Sequence, residues 1–211
     1  MDKEYVKNVV KQMKALKDVP FNLIIECLSG HKIIPFNPEN KNDKATLKLL
    51  EKTAVLAMKE INKDGIRSKR PNEVGNKIEP FIKNALIELD CRADIPKTKS
   101  GKRQSTGYPD LLFYGIDGEV NYLECKTYSA DTLDLSMRSF FVSPSENPKI
   151  LCDAHHFLIS FEMYKHTETI FKTRNYKIIS LEDLRVNVKH EFNANNIALY
   201  KSIKALAESE K

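Results

Sequence analysis

Long apolar runs and clustered cysteines are both missing from this sequence. No apolar stretch approaches the ~20 residues of a membrane-spanning helix, and residues 1–18 are charged and amphipathic, without the apolar centre of a signal peptide. The four cysteines are scattered, with no CxxC pair and no Cys/His cluster, which argues against structural zinc and against a disulfide framework. We therefore expect a cytoplasmic protein that has no membrane partner.

Internal repeats, low-complexity tracts and clear linkers are also absent, as are P-loop, helicase and zinc-finger motifs. The 211 residues are 41% hydrophobic and 30% charged, which excludes a disordered or fibrous chain and is typical of a globular one. We expect a single domain over residues 1–211, with a helical N-terminal part (1–65), a core (66–180) and a helical C-terminal tail (181–211).

The spacing of apolar residues predicts helices first and a sheet afterwards. Helices are predicted over 2–17, 21–29, 43–63 and 71–90, and again from residue 195 onward. Pro80 predicts either a kink in the fourth helix or a helix that effectively starts near it. Strands are predicted over 91–95, 109–116, 119–127, 155–165 and 169–180, with Asp117-Gly118 as a tight two-residue turn. The order predicts an α/β or α+β fold.

Three charged residues lie near one end of the predicted hairpin. Asp110 opens its first strand, and Glu124 and Lys126 flank Cys125 near the end of its second strand. Alternation along a strand places Glu124 and Lys126 on one face and turns Cys125 towards the core. Because the turn sets Asp110 opposite this part of the second strand, we expect the three charged side chains to converge.

Such a group of charges suits a metal ion. Two neighbouring carboxylates repel each other unless a cation lies between them, and Mg²⁺ takes one or two protein carboxylates and fills its remaining positions with water and phosphate oxygens. A lysine beside the metal can orient an attacking water and offset charge on a phosphoryl oxygen. The pattern predicts Mg²⁺-dependent hydrolysis of a phosphodiester; the alternative is a Glu–Lys pair at the rim of a surface hairpin.

Pro109-Asp110, thirteen intervening residues and Glu124-Cys125-Lys126 together resemble the motif of the PD-(D/E)xK nuclease superfamily, which includes most type II restriction endonucleases. The resemblance covers residues 71 to about 165. It implies a restriction-endonuclease-like core, in which helices flank a central mixed β-sheet, here with an N-terminal helical extension. It also implies that Asp110 and Glu124 bind the metal and that Lys126 positions the water.

The resemblance implies one more carboxylate, on the first core helix, and Glu73 and Glu79 are the candidates. In several restriction enzymes a glycine lets this helix approach the sheet, and the glutamate four residues later faces the site. Gly75 and Glu79 have this spacing. We therefore expect Glu79 to assist catalysis and to join the metal site, and we keep Glu73 as the second choice.

Two basic stretches next to the predicted core, residues 66–70 and 96–103, suggest contacts with DNA phosphates. The net charge of +5 favours polyanionic partners only mildly, so the argument depends on where the charges lie. Cationic side chains supply affinity, and polar ones can reach base edges; an exposed, solvated loop is the alternative for any single residue. The candidates for DNA contact are Arg67, Lys69, Arg70, Lys97, Lys99, Lys102, Arg103, Gln104, Ser105 and Arg138.

Together these features predict a single nuclease domain, most simply a type II restriction endonuclease that makes Mg²⁺-dependent double-strand cuts at a short DNA sequence. A homodimer is expected because a two-fold axis matches a palindromic site, and a DNA methyltransferase that protects the same site is a candidate partner. Two alternatives stay open: a repair, recombination or phage nuclease of the same superfamily, and a catalytically silent DNA-binding module. His155 and His156 are adjacent on a strand, so a structural role is expected for both.

Overall fold

The computed structural model describes residues 2–69, 71–133 and 139–189. Its α-helices are α1 (Lys3–Ala15), α2 (Phe21–Ser29), α3 (Lys41–Asp64), α4 (Pro71–Val74) and α5 (Glu79–Glu88). Its strands are β1 (Val19–Pro20), β2 (Ile66–Arg67), β3 (Ala93–Asp94), β4 (Leu111–Tyr114), β5 (Val120–Tyr128), β6 (His155–Lys165), β7 (Ile170–Ser180) and β8 (Arg185–Val186). The helix predicted from residue 195 onward lies outside the described residues.

The chain divides into two compact units, one made of Met1–Val19 and Arg185–Lys211 and the other of Pro20–Leu184. In the first unit, the Arg185 side chain lies 2.9 Å from the carboxylate of Asp18. The Asp18 backbone N–H donates to the Asn187 side chain, also at 2.9 Å. The prediction that residues 1–211 form one nuclease domain stays a prediction, because two compact units can still act as one catalytic domain.

The second unit is built on a six-stranded sheet in the order β2-β7-β6-β5-β4-β3. β5 and β6 pair in parallel, whereas every other neighbouring pair is antiparallel. A parallel pair needs a crossover, and residues 129–154 supply it between β5 and β6. The predicted fold class, a mixed sheet with flanking helices in an α/β or α+β chain, is confirmed. Within the described ranges, no helix combines the length and the apolar character that crossing a membrane requires.

Helix α3 contributes to the core of this unit. Its buried apolar side chains recur at helical spacing, and they are those of Leu50, Ala54, Ala57 and Ile61. The Asn62 side chain fixes α3 to β7 by bonding both backbone groups of Thr173, at 2.7 Å and 2.9 Å. The sheet that carries the hairpin is therefore covered on one side by a helix from the N-terminal part of the chain.

The helix predicted over 71–90 is interrupted. After α4, residues Gly75–Lys77 form a 3-10 turn, and α5 begins at Glu79 with Pro80 in its first turn. A proline fits this position because the first helical N–H groups have no intrahelical acceptor. Of the two predictions made from Pro80, the helix that starts near it is confirmed and the kink is wrong.

The turn of the β4–β5 hairpin is longer than predicted. The Gly115 N–H donates to the Glu119 carbonyl at 2.8 Å, and the Gly118 N–H donates to the Gly115 carbonyl at 2.9 Å. Three residues, 116–118, therefore form the loop, and the prediction of a two-residue turn is wrong. Gly118 has a φ of 82°, which a residue without Cβ adopts at low cost and which is typical of such three-residue loops.

Candidate active site

Successive side chains of β5 point to opposite faces of the sheet, as predicted. Leu123 and Cys125 are buried in the core, so Glu124 and Lys126 lie on the other face of the sheet. The Lys126 ammonium donates to Glu124 Oε1 at 2.5 Å. Glu124 is itself only 3% exposed, so its carboxylate meets this ammonium in a largely dry environment.

Asp110 lies at the start of β4, directly after the cis Tyr108–Pro109 peptide bond. Its Oδ2 accepts a hydrogen bond from the Cys125 backbone N–H at 2.8 Å. The bond attaches the Asp110 carboxylate to β5 between Glu124 and Lys126. The structure therefore brings together the three residues of the sequence motif.

Burial and mutual repulsion shape the charge state of the two carboxyls. Burial raises the pKa of Glu124 to about 7, and the negative charge of Asp110 adds to this effect, while Lys126 opposes it. Burial also raises the pKa of Asp110, against the opposing effect of the Cys125 N–H. The pKa of Lys126 is raised, because its neighbouring carboxylates outweigh the effect of burial. Without a further cation, this carboxyl pair tends to retain a proton near neutral pH.

One oxygen of this pair lacks a hydrogen-bond donor. Among the described residues, Glu124 Oε2 is buried and accepts no hydrogen bond. Leaving such an atom unpaired is costly, and a bound cation would remove the cost. No group of three or more His, Cys, Asp or Glu side chains in the described part of the chain is placed to hold a metal ion. Mg²⁺ needs only one or two protein carboxylates, so Asp110 and Glu124 fit this ion.

Glu79 approaches the same charges from the first turn of α5. Burial raises the pKa of Glu79, and the charge of Asp110 raises it further, whereas Lys149 and Lys126 lower it. Glu79 is half-buried at this position. Three carboxylates from two strands and a helix thus share one electrostatic environment.

Gly75 allows the turn before α5 to approach β5, whereas Glu73, the second candidate, lies on exposed surface. A Cβ on Gly75 would lie 3.2 Å from Thr127 Oγ1, which is tighter than ordinary contact, so a side chain there would press the turn away from β5. Glu73 is exposed, and its Oε2 accepts a hydrogen bond from the Ser68 hydroxyl at 3.1 Å. Glu79 therefore lies within electrostatic reach of Asp110, whereas Glu73 bonds to Ser68.

Lys149 lies near the candidate site, a position that the sequence did not reveal. It is 4% exposed, and its ammonium donates to the carbonyls of Gly107 at 2.5 Å and Pro109 at 2.8 Å. Burial lowers the pKa of Lys149, and the site carboxylates oppose this effect. Lys149 lies in an irregular segment without periodicity, so no local pattern could have connected it to Asp110, 39 positions earlier.

The two adjacent histidines belong to the core. Nδ1 of His155 lies 2.9 Å from the Ile34 carbonyl, and its Nε2 lies 3.5 Å from the Asp43 carboxylate. Nδ1 of His156 lies 2.6 Å from the Tyr108 hydroxyl, and burial lowers the pKa of His156 to about 3. These contacts agree with a structural role for both rings.

The residues predicted to contact DNA lie mostly on exposed surface. Arg67, Lys69, Lys97, Lys99, Lys102, Gln104 and Ser105 are exposed. Arg103 is also exposed, but its guanidinium lies 2.5 Å from the Asp94 carboxylate. Arg70 and Arg138 lie outside the described residues.

The second basic stretch has a defined backbone shape. Within residues 97–103, the Thr98 N–H donates to the Lys102 carbonyl at 2.8 Å. The Asn147 side chain donates to the Thr98 and Ser100 hydroxyls, at 3.0 Å and 2.9 Å, and accepts from the Ser100 N–H at 2.8 Å. A lysine-rich loop that is held in this way presents its cations at fixed positions.

Two comparisons with known proteins give the family of this chain. A model of the type II restriction enzyme MjaV family matches residues 14–203. The type II restriction enzyme MjaV of Methanocaldococcus jannaschii is 38% identical to this chain over 219 aligned positions, which cover 95% of this chain and 94% of that protein. Both matches span the hairpin, α5, the basic stretches and Lys149.

Proposed function

Because the chain belongs to the type II restriction enzyme MjaV family, we propose that it is a restriction endonuclease that makes Mg²⁺-dependent double-strand cuts at a short specific DNA sequence. One observation supports the chemistry above all others. Asp110, Glu124 and Lys126 converge at the start of β4 and on β5, with a buried carboxylate oxygen left unpaired. This arrangement suits a hard cation next to a scissile phosphate.

In this proposal Asp110 and Glu124 hold the metal, and Glu79 assists from α5, directly or through water. Bound there, Mg²⁺ supplies a Lewis acid for the phosphoryl oxygen and activates water. The Cys125 N–H and the Lys126 ammonium hold one oxygen each of Asp110 and Glu124, so the remaining oxygens are kept in place for the cation. The carboxylates thus lose little side-chain freedom when the metal binds.

Lys126 completes the chemistry. Its ammonium lies on the site face of β5, partly exposed, with 28% of its side chain accessible. From there it orients the attacking water in line with the leaving oxygen and offsets negative charge on the phosphoryl group. The products are a 5′-phosphate and a 3′-hydroxyl.

DNA binding is assigned to the basic and polar residues that the sequence predicted. We assign phosphate contacts to Arg67, Lys69, Arg70, Lys97, Lys99, Lys102 and Arg103, and direct or water-mediated base contacts to Gln104, Ser105 and Arg138. The enzyme acts in the cytoplasm as a homodimer on a palindromic site, and a methyltransferase that modifies that site protects the host DNA.

Digestion of a sequenced plasmid tests the proposal. We expect discrete fragments with Mg²⁺ and none with EDTA. Asp110→Asn and Lys126→Met should each lower the cleavage rate by at least ~100-fold, because each removes a group that acts on the reacting atoms. Lys48→Met, at an exposed position on α3, should cleave like the wild type. Intact plasmid with the wild type in Mg²⁺ refutes the nuclease, and a continuous smear refutes sequence specificity.

The two helix glutamates form a matched pair in the same assay. Glu79→Gln should lower the cleavage rate by at least ~10-fold, because it removes a carboxylate that lies beside Asp110, whereas Glu73→Gln should stay within about threefold of the wild type. Equal effects of the two substitutions would contradict the assignment of Glu79.

A further inference from the structure

A buried lysine lies beside the proposed metal site and has no part in the motif. Lys149 follows Pro148 in the crossover between β5 and β6, and only 4% of the residue is exposed. Its ammonium donates to two carbonyls, those of Gly107 and Pro109. Both carbonyls belong to the three residues, 107–109, that precede Asp110 in the chain.

Burying an ammonium costs free energy unless nearby groups compensate for it. The two carbonyls satisfy two of its three N–H donors. Asp110, Glu124 and Glu79 supply the opposite charge, since each of them stabilises the charged form of Lys149. In the metal-free protein, Lys126 and Lys149 thus place two ammonium groups near the three carboxyl groups of the site.

We propose that Lys149 is a positioning residue of the nuclease: its ammonium fixes the backbone at Gly107 and Pro109, places the Asp110 carboxylate against β5, and offsets the repulsion among the three carboxylates before the metal binds. The proposal rests on the nuclease function proposed above. Lys149 acts through Asp110, so its contribution appears in the rate of cleavage and not in contact with the substrate.

The surrounding segment supports this role. Lys149 is the third residue of a short stretch, 147–149, that also holds the basic loop, because Asn147 bonds Thr98 and Ser100 and the Pro148 carbonyl accepts from the Lys99 N–H at 2.9 Å. One stretch of backbone therefore contacts both the predicted phosphate-binding loop and the residues before Asp110. Lys149 is the point at which this stretch reaches the carboxylates.

Three substitutions separate charge, hydrogen bonding and packing. Lys149→Met keeps most of the apolar stem, Lys149→Gln keeps an N–H donor without the charge, and Lys149→Arg keeps both the donors and the charge. Lys48→Met is the matched control on exposed surface. For each variant we would measure the single-turnover cleavage rate at saturating Mg²⁺, the Kd for cognate DNA in EDTA, and the Tm.

Lys149→Met and Lys149→Gln should lower the single-turnover rate by about 100-fold, since misplacing a reacting group by about 1 Å costs this much. Their Kd for DNA in EDTA should stay within about threefold of the wild type, and Lys149→Arg should cleave at least ~10-fold faster than Lys149→Gln. A purely structural role would lower the Tm and weaken DNA binding without this dependence on charge.

The outcomes are distinguishable from failure of the nuclease itself. If the wild type does not cleave in Mg²⁺, the proposed function is wrong. If it cleaves and Lys149→Gln cleaves within threefold of it, the role of Lys149 is wrong. If Lys149→Met does not fold, the Arg and Gln variants decide: a faster Arg variant supports the proposal, and equal rates overturn it.

Discussion

At the scale of single residues, the carboxyl of Glu124 combines burial with an incomplete set of partners. Lys126 occupies Oε1, whereas Oε2 is buried without a partner among the described residues. Burial raises the pKa of Glu124, and the charge of Asp110 raises it further. Among the described residues, no cation bonds Oε2 of Glu124. In the metal-free protein the carboxyls of Asp110 and Glu124 therefore repel each other, and a bound divalent ion would remove this repulsion. The repulsion can be measured through the free energy of unfolding.

Stability of the metal-free protein should depend on pH through Glu124. Folding raises the pKa of this carboxyl from 4.5 to about 7, so its protonated form stabilises the folded state. This stabilisation is complete below the unfolded pKa. This contribution is lost as the pH rises through the folded pKa. Between pH 5 and pH 8, wild type in EDTA should lose on the order of 1–3 kcal/mol of unfolding free energy relative to Glu124→Gln, which has no such proton.

Urea unfolding at pH 5, 6, 7 and 8 measures the difference between the two proteins, so that other titrating groups shared by both cancel. Saturating Mg²⁺ should restore the wild-type stability at pH 8, because the ion binds the ionised carboxylates of the folded state only. Parallel pH profiles in EDTA would contradict the raised pKa.

Reasoning from the sequence predicted that Asp110, Glu124 and Lys126 converge, and their catalytic roles stay predictions; it did not identify Lys149. Asp110, Glu124 and Lys126 lie on two strands joined by a short turn, so alternation and pairing alone bring them together. Lys149 reaches the site through tertiary packing of an irregular segment. The choice between Glu73 and Glu79 depended on a glycine spacing, and the effect of Asp110 on the pKa of Glu79 supports Glu79.

At the scale of elements, hydrophobic periodicity located the long helices and strands, and it did not determine the details of their connections. The strand over His155–Lys165 has the predicted bounds, because a run of buried β-branched and aromatic residues carries a strong signal. The hairpin loop contains one residue more than predicted, since Asp-Gly suits both the two-residue turn and the three-residue loop. Strand β3 has only two residues.

Asn147 provides an element-scale test, because one side chain shapes the loop over 97–103. Asn147→Ala removes its bonds to Thr98 and Ser100, each worth about 1 kcal/mol net. The loop should then sample more conformations before it binds. We expect the Kd for cognate DNA in EDTA to rise about 5–30-fold, the equivalent of one to two kcal/mol.

Fluorescence anisotropy with a labelled duplex measures this change, and Asn8→Ala on exposed surface of α1 is the control. The single-turnover rate at saturating enzyme and Mg²⁺ should change less than the Kd, because the bound complex restores the loop. An unchanged Kd would show that the loop does not contribute to binding.

At the scale of the whole molecule, charge distribution matters more than net charge. The chain carries 34 basic against 29 acidic residues, so its long-range field is modest. Exposed lysines are concentrated in the loop over 97–103. The order of strands in the sheet, by contrast, was beyond sequence reasoning, because the β5–β6 parallel pairing joins segments that are far apart in the chain.

Lys99 allows both the DNA contact and the homodimer to be tested in one measurement. Each phosphate contact adds about 0.9 to the slope of log K against log salt concentration. In a two-fold symmetric dimer every substitution removes two contacts, so Lys99→Gln should lower the magnitude of the slope by about 1.8. A decrease of about 0.9 would instead indicate that one chain engages the duplex. Lys48→Gln should leave the slope unchanged, and an unchanged slope for Lys99→Gln would remove Lys99 from the interface.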